Sequence, residues 1–150
     1  MNSITLVFTK TMWNPLSWFI RWVLPRSRFS LALSSHVFII DNDNNYVEAV
    51  FPQGVRKQSK EKALKGLTVV KEKTYQVLDR NAGMEFLEKQ IGKKYDLKAG
   101  VGLGFNQDRI WDEDDRWYCY ELAAATLKNA GLCHFTELSH ITETALLALE

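Results

Sequence analysis

The strongest constraint on this chain is a pair of β-rich runs, SHVFIID (35–41) and YVEAVF (46–51), around the turn-prone NDNN. Two such runs flanking an Asn/Asp cluster predict a β-hairpin. Each run carries one polar residue out of keeping with its neighbours: His36 heads the first and Glu48 sits inside the second. A buried carboxylate needs a partner, and an imidazole one strand away is a natural one. Whether the two meet depends on the turn. A two-residue turn centred on Asp43 and Asn44 would put them on opposite faces, whereas a three- or five-residue turn would bring them to the same face.

The rest of the chain supplies partners for this hairpin. ITLVFT (4–9) has the composition of a first strand. LTVVKEKTYQVL (67–78) mixes β-branched residues with alternating charge, which suits an edge strand protected by Lys71 and Lys73. GVRKQSKEKALKG, between them, has little periodicity and is expected to be a solvated connector. NAGMEFLEKQIG (81–92) puts Met84, Leu87 and Ile91 on one helical face, with Asn81 as cap and Gly92 as stop. A final helix is expected near Thr142. No repeat and no linker divides residues 1–150, so the expectation is a single α+β domain, an antiparallel sheet packed with helices.

Bulk properties exclude more than they select. The chain has 150 residues, 46% hydrophobic and 25% charged, with a formal net charge of +1. That is enough to bury a core, and near-neutrality makes neither nucleic acid nor an anionic membrane an expected partner. Two cysteines, Cys119 and Cys133, are separated by one helix and its exit, about 20 Å along the axis, against the roughly 5.5 Å a disulfide spans. Free thiols, with no basic leader or cleavage site, give the expectation of a protein cytoplasmic on synthesis. PLSWFIRWVLP (15–25) is too short to cross a bilayer and carries Arg21. It is expected to be a core helix bounded by Pro15 and Pro25, the alternative being an amphipathic helix touching lipid through Trp13–Trp22. GVGLGF (101–105 with its preceding glycine) lacks the lysine ending of a phosphate loop and misses the dinucleotide spacing, so a flexible loop is expected.

The chemistry centres on DDRWYCYELAAATLKNAG (114–131). ELAAATLKNAG is a convincing helix ended by Gly131, and Cys119 falls at its start. Unpaired N–H groups at a helix N-terminus, or a nearby imidazolium, favour the reactive thiolate over the thiol. The acids Asp112 to Asp115 suit the helix start but must point away from the sulfur. His134 and His140 have the context of surface or capping residues, which leaves His36 as the candidate base. A zinc site from His36, Cys119 and Glu48 lacks any close ligand pair, so neither a metal nor a cofactor is expected.

Taken in order, SHVFII, YVEA with Glu48 twelve residues after His36, KKYD and WYCYEL resemble the circularly permuted branch of the NlpC-type papain-like superfamily. That branch includes YiiX-like proteins and, more distantly, the lecithin:retinol acyltransferase group. The resemblance implies a papain-like fold in permuted order, with the histidine hairpin ahead of the cysteine helix. It implies Cys119 as nucleophile, His36 as general base, Glu48 as the residue orienting the imidazole, and Tyr95 beside the nucleophile, assisting the oxyanion. Glu121 agrees with the Cys-x-Glu pattern of the group. Tyr120 departs from it, since relatives commonly carry a small residue there, and it could narrow or block an acyl pocket formed with Tyr118 and Trp18. NPLSWFIRW and the Ser-rich link before His36 also resemble short phage or prophage members.

The expected activity is amide hydrolysis through a thioester, with cell-wall (peptidoglycan) peptide the first substrate. The alternatives are a lipid-directed acyltransferase or amidase, and a non-catalytic binding or virion-associated module.

Overall fold

The computed structural model describes residues 2–11, 34–96, 116–132, 141 and 143–149. The Pro15–Pro25 segment with Trp13, Trp18 and Trp22, the glycine-rich loop, Asp112 to Asp115, Cys133, His134 and His140 lie outside the described residues.

The elements in chain order are β1 (Ser3–Thr11), β2 (His36–Ile40), β3 (Tyr46–Val50), β4 (Gly54–Gln58), α1 (Lys60–Ala63), β5 (Leu67–Gln76), α2 (Arg80–Gln90), β6 (Lys94–Tyr95), β7 (Arg116–Trp117), α3 (Cys119–Asn129) and α4 (Glu143–Ala148). The fold is α+β. Five strands form an antiparallel sheet in the order β4-β3-β2-β1-β5, and β6 and β7 form a short parallel pair.

Alternation in β1 explains how the sheet is covered on both faces. Ile4, Leu6 and Phe8 join Val37, Ile39, Val47 and Ala49 in the main core, with Met84 and Leu87 of α2 and Leu122, Ala123 and Leu127 of α3. Val7 points the other way, into a smaller cluster with Phe38, Tyr46 and Ala63. Small residues let the helices approach closely. A Cβ on Gly83 of α2 would lie 2.8 Å from the Cβ of Ala130, just past α3.

The five-residue connection between β2 and β3 sets the hairpin register. Asp41 Oδ1 accepts the backbone N–H groups of Asp43 and Asn45, each at 2.8 Å, and Asn44 takes φ 60°. Ile39 then faces Val47 and Ile40 faces Tyr46, which leaves His36 and Glu48 on the same side of the hairpin. Lys57 bridges the second Asp41 oxygen, at 2.9 Å, to Glu88 of α2. Burial works against the Asp41 carboxylate, but the Lys57 ammonium and the two backbone N–H groups hold its pKa below the ordinary value.

Two expectations are corrected. GVRKQ is not a solvated connector but strand β4, paired with β3 from Tyr46↔Gln58 to Val50↔Gly54, because its charges answer buried carboxylates on neighbouring elements. The cap of α2 is Asp79, whose carboxylate accepts the Ala82 N–H at 3.1 Å, and not Asn81, which is already helical. β5 does lie at the sheet edge, and the last helix begins at Glu143.

Gly54 fixes the approach to β6. It takes φ +80°, and a Cβ there would sit 2.1 Å from the Lys93 carbonyl oxygen. Beside it, Val55 N–H donates to that oxygen at 2.8 Å, and Gly92 N–H returns to the Val55 carbonyl at 2.9 Å. Gly54→Ala is therefore expected to destabilise the protein by about 2–4 kcal/mol, measured by urea unfolding.

Candidate active site

Strand β7 carries the chain, still extended, into Tyr118 (φ −108°, ψ 162°), and α3 starts at the next residue, Cys119. The helix start is held from several directions. Trp117 Nε1–H donates to Gln90 Oε1 at 3.1 Å, and its ring meets Phe86 edge-on at 5.8 Å. The Tyr118 hydroxyl donates to the carbonyl of Ile141. Tyr118 makes no side-chain hydrogen bond to the first turn of the helix. The first-turn N–H groups beside Cys119 thus keep the polarity that a capping side chain would otherwise absorb. Cys119 is a free cysteine, only 6% exposed.

His36 reaches this point from the sheet. Alternation turns it away from the face on which α3 packs, and it is the first residue of β2. Its ring meets the edge of Phe38 at 4.8 Å and bonds through Nε2 to Glu48 Oε2 at 2.6 Å. The Cys119 side chain lies close enough to interact electrostatically with the ring. Nε2 is committed to the carboxylate. Burial alone would lower the imidazole's pKa. Its interactions with Cys119 and Glu48 outweigh burial and push the pKa up to about 10. His36 is thus held protonated beside the Glu48 carboxylate.

Glu48, 4% exposed, is held on every side. Besides His36, its Oε1 accepts Nε and Nη2 of Arg56, each at 2.8 Å, and Nε2 of Gln58 at 2.7 Å. Burial opposes its ionisation, but the His36 hydrogen bond and charge, followed by those of Arg56, keep its pKa below the ordinary value. Such a fully engaged carboxylate can orient an imidazole without competing for its proton.

Tyr95 enters through the β6–β7 pair, opposite Trp117, with Phe51 edge-on at 6.1 Å. Burial first, and then the charge of Cys119 and Asp96, raise the pKa of its hydroxyl and keep it a donor.

No family model, curated protein or solved structure matches the chain.

The structure therefore gathers Cys119, His36, Glu48 and Tyr95. Of the residues assigned to an acyl pocket, Trp18 lies outside the described residues. Tyr118 and Tyr120 are buried and lie edge-on to each other at 5.9 Å, with hydroxyls turned to Ile141 and Ser34. Among the described residues, no group of three or more His, Cys, Asp and Glu side chains is arranged to hold a metal ion, and no helix is long and apolar enough to cross a membrane.

Arg56 and Gln58 are supporting residues that the sequence reading missed. Their signal was faint but present: two long polar side chains, two residues apart, opposite a strand that carries a lone glutamate.

Proposed function

We propose that the protein is a cysteine hydrolase that cleaves an amide bond through a thioester acyl-enzyme, in a papain-like fold of permuted order. One observation carries this reading: the His36 imidazole is bonded at 2.6 Å to the buried Glu48 carboxylate and interacts with Cys119 at the start of α3. The order of elements is consistent with it, since the hairpin bearing His36 and Glu48 precedes the helix that begins at Cys119.

The chemistry follows from these positions. In the reactive form the Cys119 proton rests on His36 and the sulfur is a thiolate, the nucleophilic form of cysteine. The Cys119 sulfur attacks the carbonyl carbon, and the carbonyl oxygen takes up the electron pair. N–H groups of the first turn of α3 and the Tyr95 hydroxyl are the donors assigned to that developing charge. His36 gives its proton to the leaving nitrogen as the carbon–nitrogen bond breaks, which leaves the acyl group on sulfur. A water molecule, giving a proton to His36, attacks the thioester and releases the acid and the thiolate. Glu48, braced by Arg56 and Gln58, holds the ring in line throughout.

Peptidoglycan peptide is the first substrate on the resemblance to NlpC-type enzymes. In a test on purified cell wall, soluble peptides with new amino termini are expected, together with an acyl adduct on the peptide containing Cys119. Release of fatty acid from lipid amides, with cell wall untouched, would transfer the same chemistry to the lipid-directed alternative. No turnover and no adduct with peptidoglycan, peptides or acyl amides would defeat the enzymatic reading. Tyr120, the departure that favours a non-catalytic module, has its hydroxyl engaged by Ser34.

A further inference from the structure

The residue after the proposed nucleophile and the segment leading into the proposed base are joined by a buried polar cluster. Tyr120 Oη and Ser34 Oγ are 3.0 Å apart, and Tyr120 Oη also lies 3.3 Å from the Ser34 carbonyl oxygen. Both contacts are satisfied when the tyrosine hydroxyl donates to the carbonyl and accepts from the serine hydroxyl. The Ser34 N–H donates to Glu143 Oε1 of α4 at 3.0 Å. Every polar group of Ser34 is then in use, and Ser34, Tyr120 and Glu143 are all buried. A satisfied network in such surroundings is stiff, because breaking any bond strands a polar atom away from water.

The location gives this network a purpose beyond stability. Ser34 lies two residues before His36, and Ser35 N–H binds the Thr9 carbonyl of β1 at 2.9 Å. The clamp therefore ties α4 and the first turn of α3 to the segment entering β2.

We propose that Tyr120, with Ser34 and Glu143, forms a positioning clamp that sets the distance between the Cys119 sulfur and the His36 ring. Tyr120 is then a positioning residue rather than an obstruction. The inference rests on the cysteine-hydrolase reading. It assigns the unusual tyrosine the task of holding two reacting groups whose alignment governs rate, where an error of about 1 Å can cost a hundredfold.

The test needs no substrate. Alkylation of Cys119 by iodoacetamide is followed against pH by mass mapping, in the full chain, with melting curves recorded in parallel. Tyr120→Phe keeps the ring and removes the hydroxyl; it is expected to slow Cys119 alkylation at neutral pH about tenfold and to displace its pH profile. Glu143→Gln retains an acceptor for the Ser34 N–H and is expected to stay within about twofold of wild type, whereas Glu143→Ala falls with Tyr120→Phe. A residue that merely stabilised the fold would lower the melting temperature and leave the profile where it was.

A folded Tyr120→Phe protein with the wild-type rate and profile overturns the clamp. If that variant does not fold, Ser34→Ala, which removes only the hydroxyl contact, decides by the same measure. Failure of the hydrolase reading looks different: Cys119 in the wild type then alkylates no faster than Cys133, and His36→Ala changes nothing.

Discussion

Cys119→Ala is expected to abolish amide hydrolysis, with a loss on the order of 10⁴-fold or more and with substrate binding retained. The size follows from the role: without sulfur there is no acyl-enzyme. His36→Ala removes the proton donor for the leaving nitrogen and the partner of the thiolate, so its loss should approach that of Cys119→Ala. The double variant should be scarcely worse than either single one, because the two side chains act as a unit. Single-turnover product release, with binding measured separately, checks both statements. Substantial turnover by Cys119→Ala would remove the cysteine from the mechanism.

Glu48→Ala is expected to cost about 3 kcal/mol of stability in urea unfolding. It removes a buried carboxylate and leaves the His36 cation and the Gln58 amide without their acceptor. The loss stays below the extreme for a buried pair because the Arg56 side chain is 39% exposed and water can replace part of what it loses. Glu48→Gln should fold better than Glu48→Ala, yet its neutral amide cannot hold the imidazolium, so it should change the pH dependence of stability.

The sign of that dependence follows from linkage. The unfolded chain releases the His36 proton near 6.5, whereas the folded protein keeps it to about 10. Between these values the native state binds the additional proton, so the contribution of His36 is full below 6.5 and is lost as pH rises through 10. Glu48 works in the other direction at the acid end. Its contribution is present above its unfolded value of 4.5 and is lost as falling pH protonates the folded carboxylate. Both contributions are complete between 4.5 and 6.5. Glu48→Gln is expected to lower the alkaline limit and flatten the decline of stability between neutral pH and pH 10. Parallel wild-type and Glu48→Gln stability curves over that range would contradict the ion-pair assignment.

The parts of this protein that depend on local pattern are legible in its residues. Alternation in ITLVFT, SHVFIID and YVEAVF marks strands because side chains on a strand face opposite sides at each step. ELAAATLKN marks a helix because its alanines and leucines lose little on becoming helical, and that places Cys119 at a helix start. His36 and Glu48 stand out because polar groups among apolar strand residues need partners. Only the tertiary structure decided which partners they have. The same-face placement of His36 and Glu48 depends on a five-residue turn organised by the Asp41 carboxylate, and a turn shorter by one residue would have separated them. Arg56 and Gln58 lie in a run with no clear period, and they become strand residues because β3 is there to pair with them. The pairing of Tyr120 with Ser34 joins residues 86 positions apart, and that of Ser34 with Glu143 joins residues 109 apart. Periodicity reports which face a side chain takes on its own element; contacts across such distances exist only once the sheet and helices have closed around them.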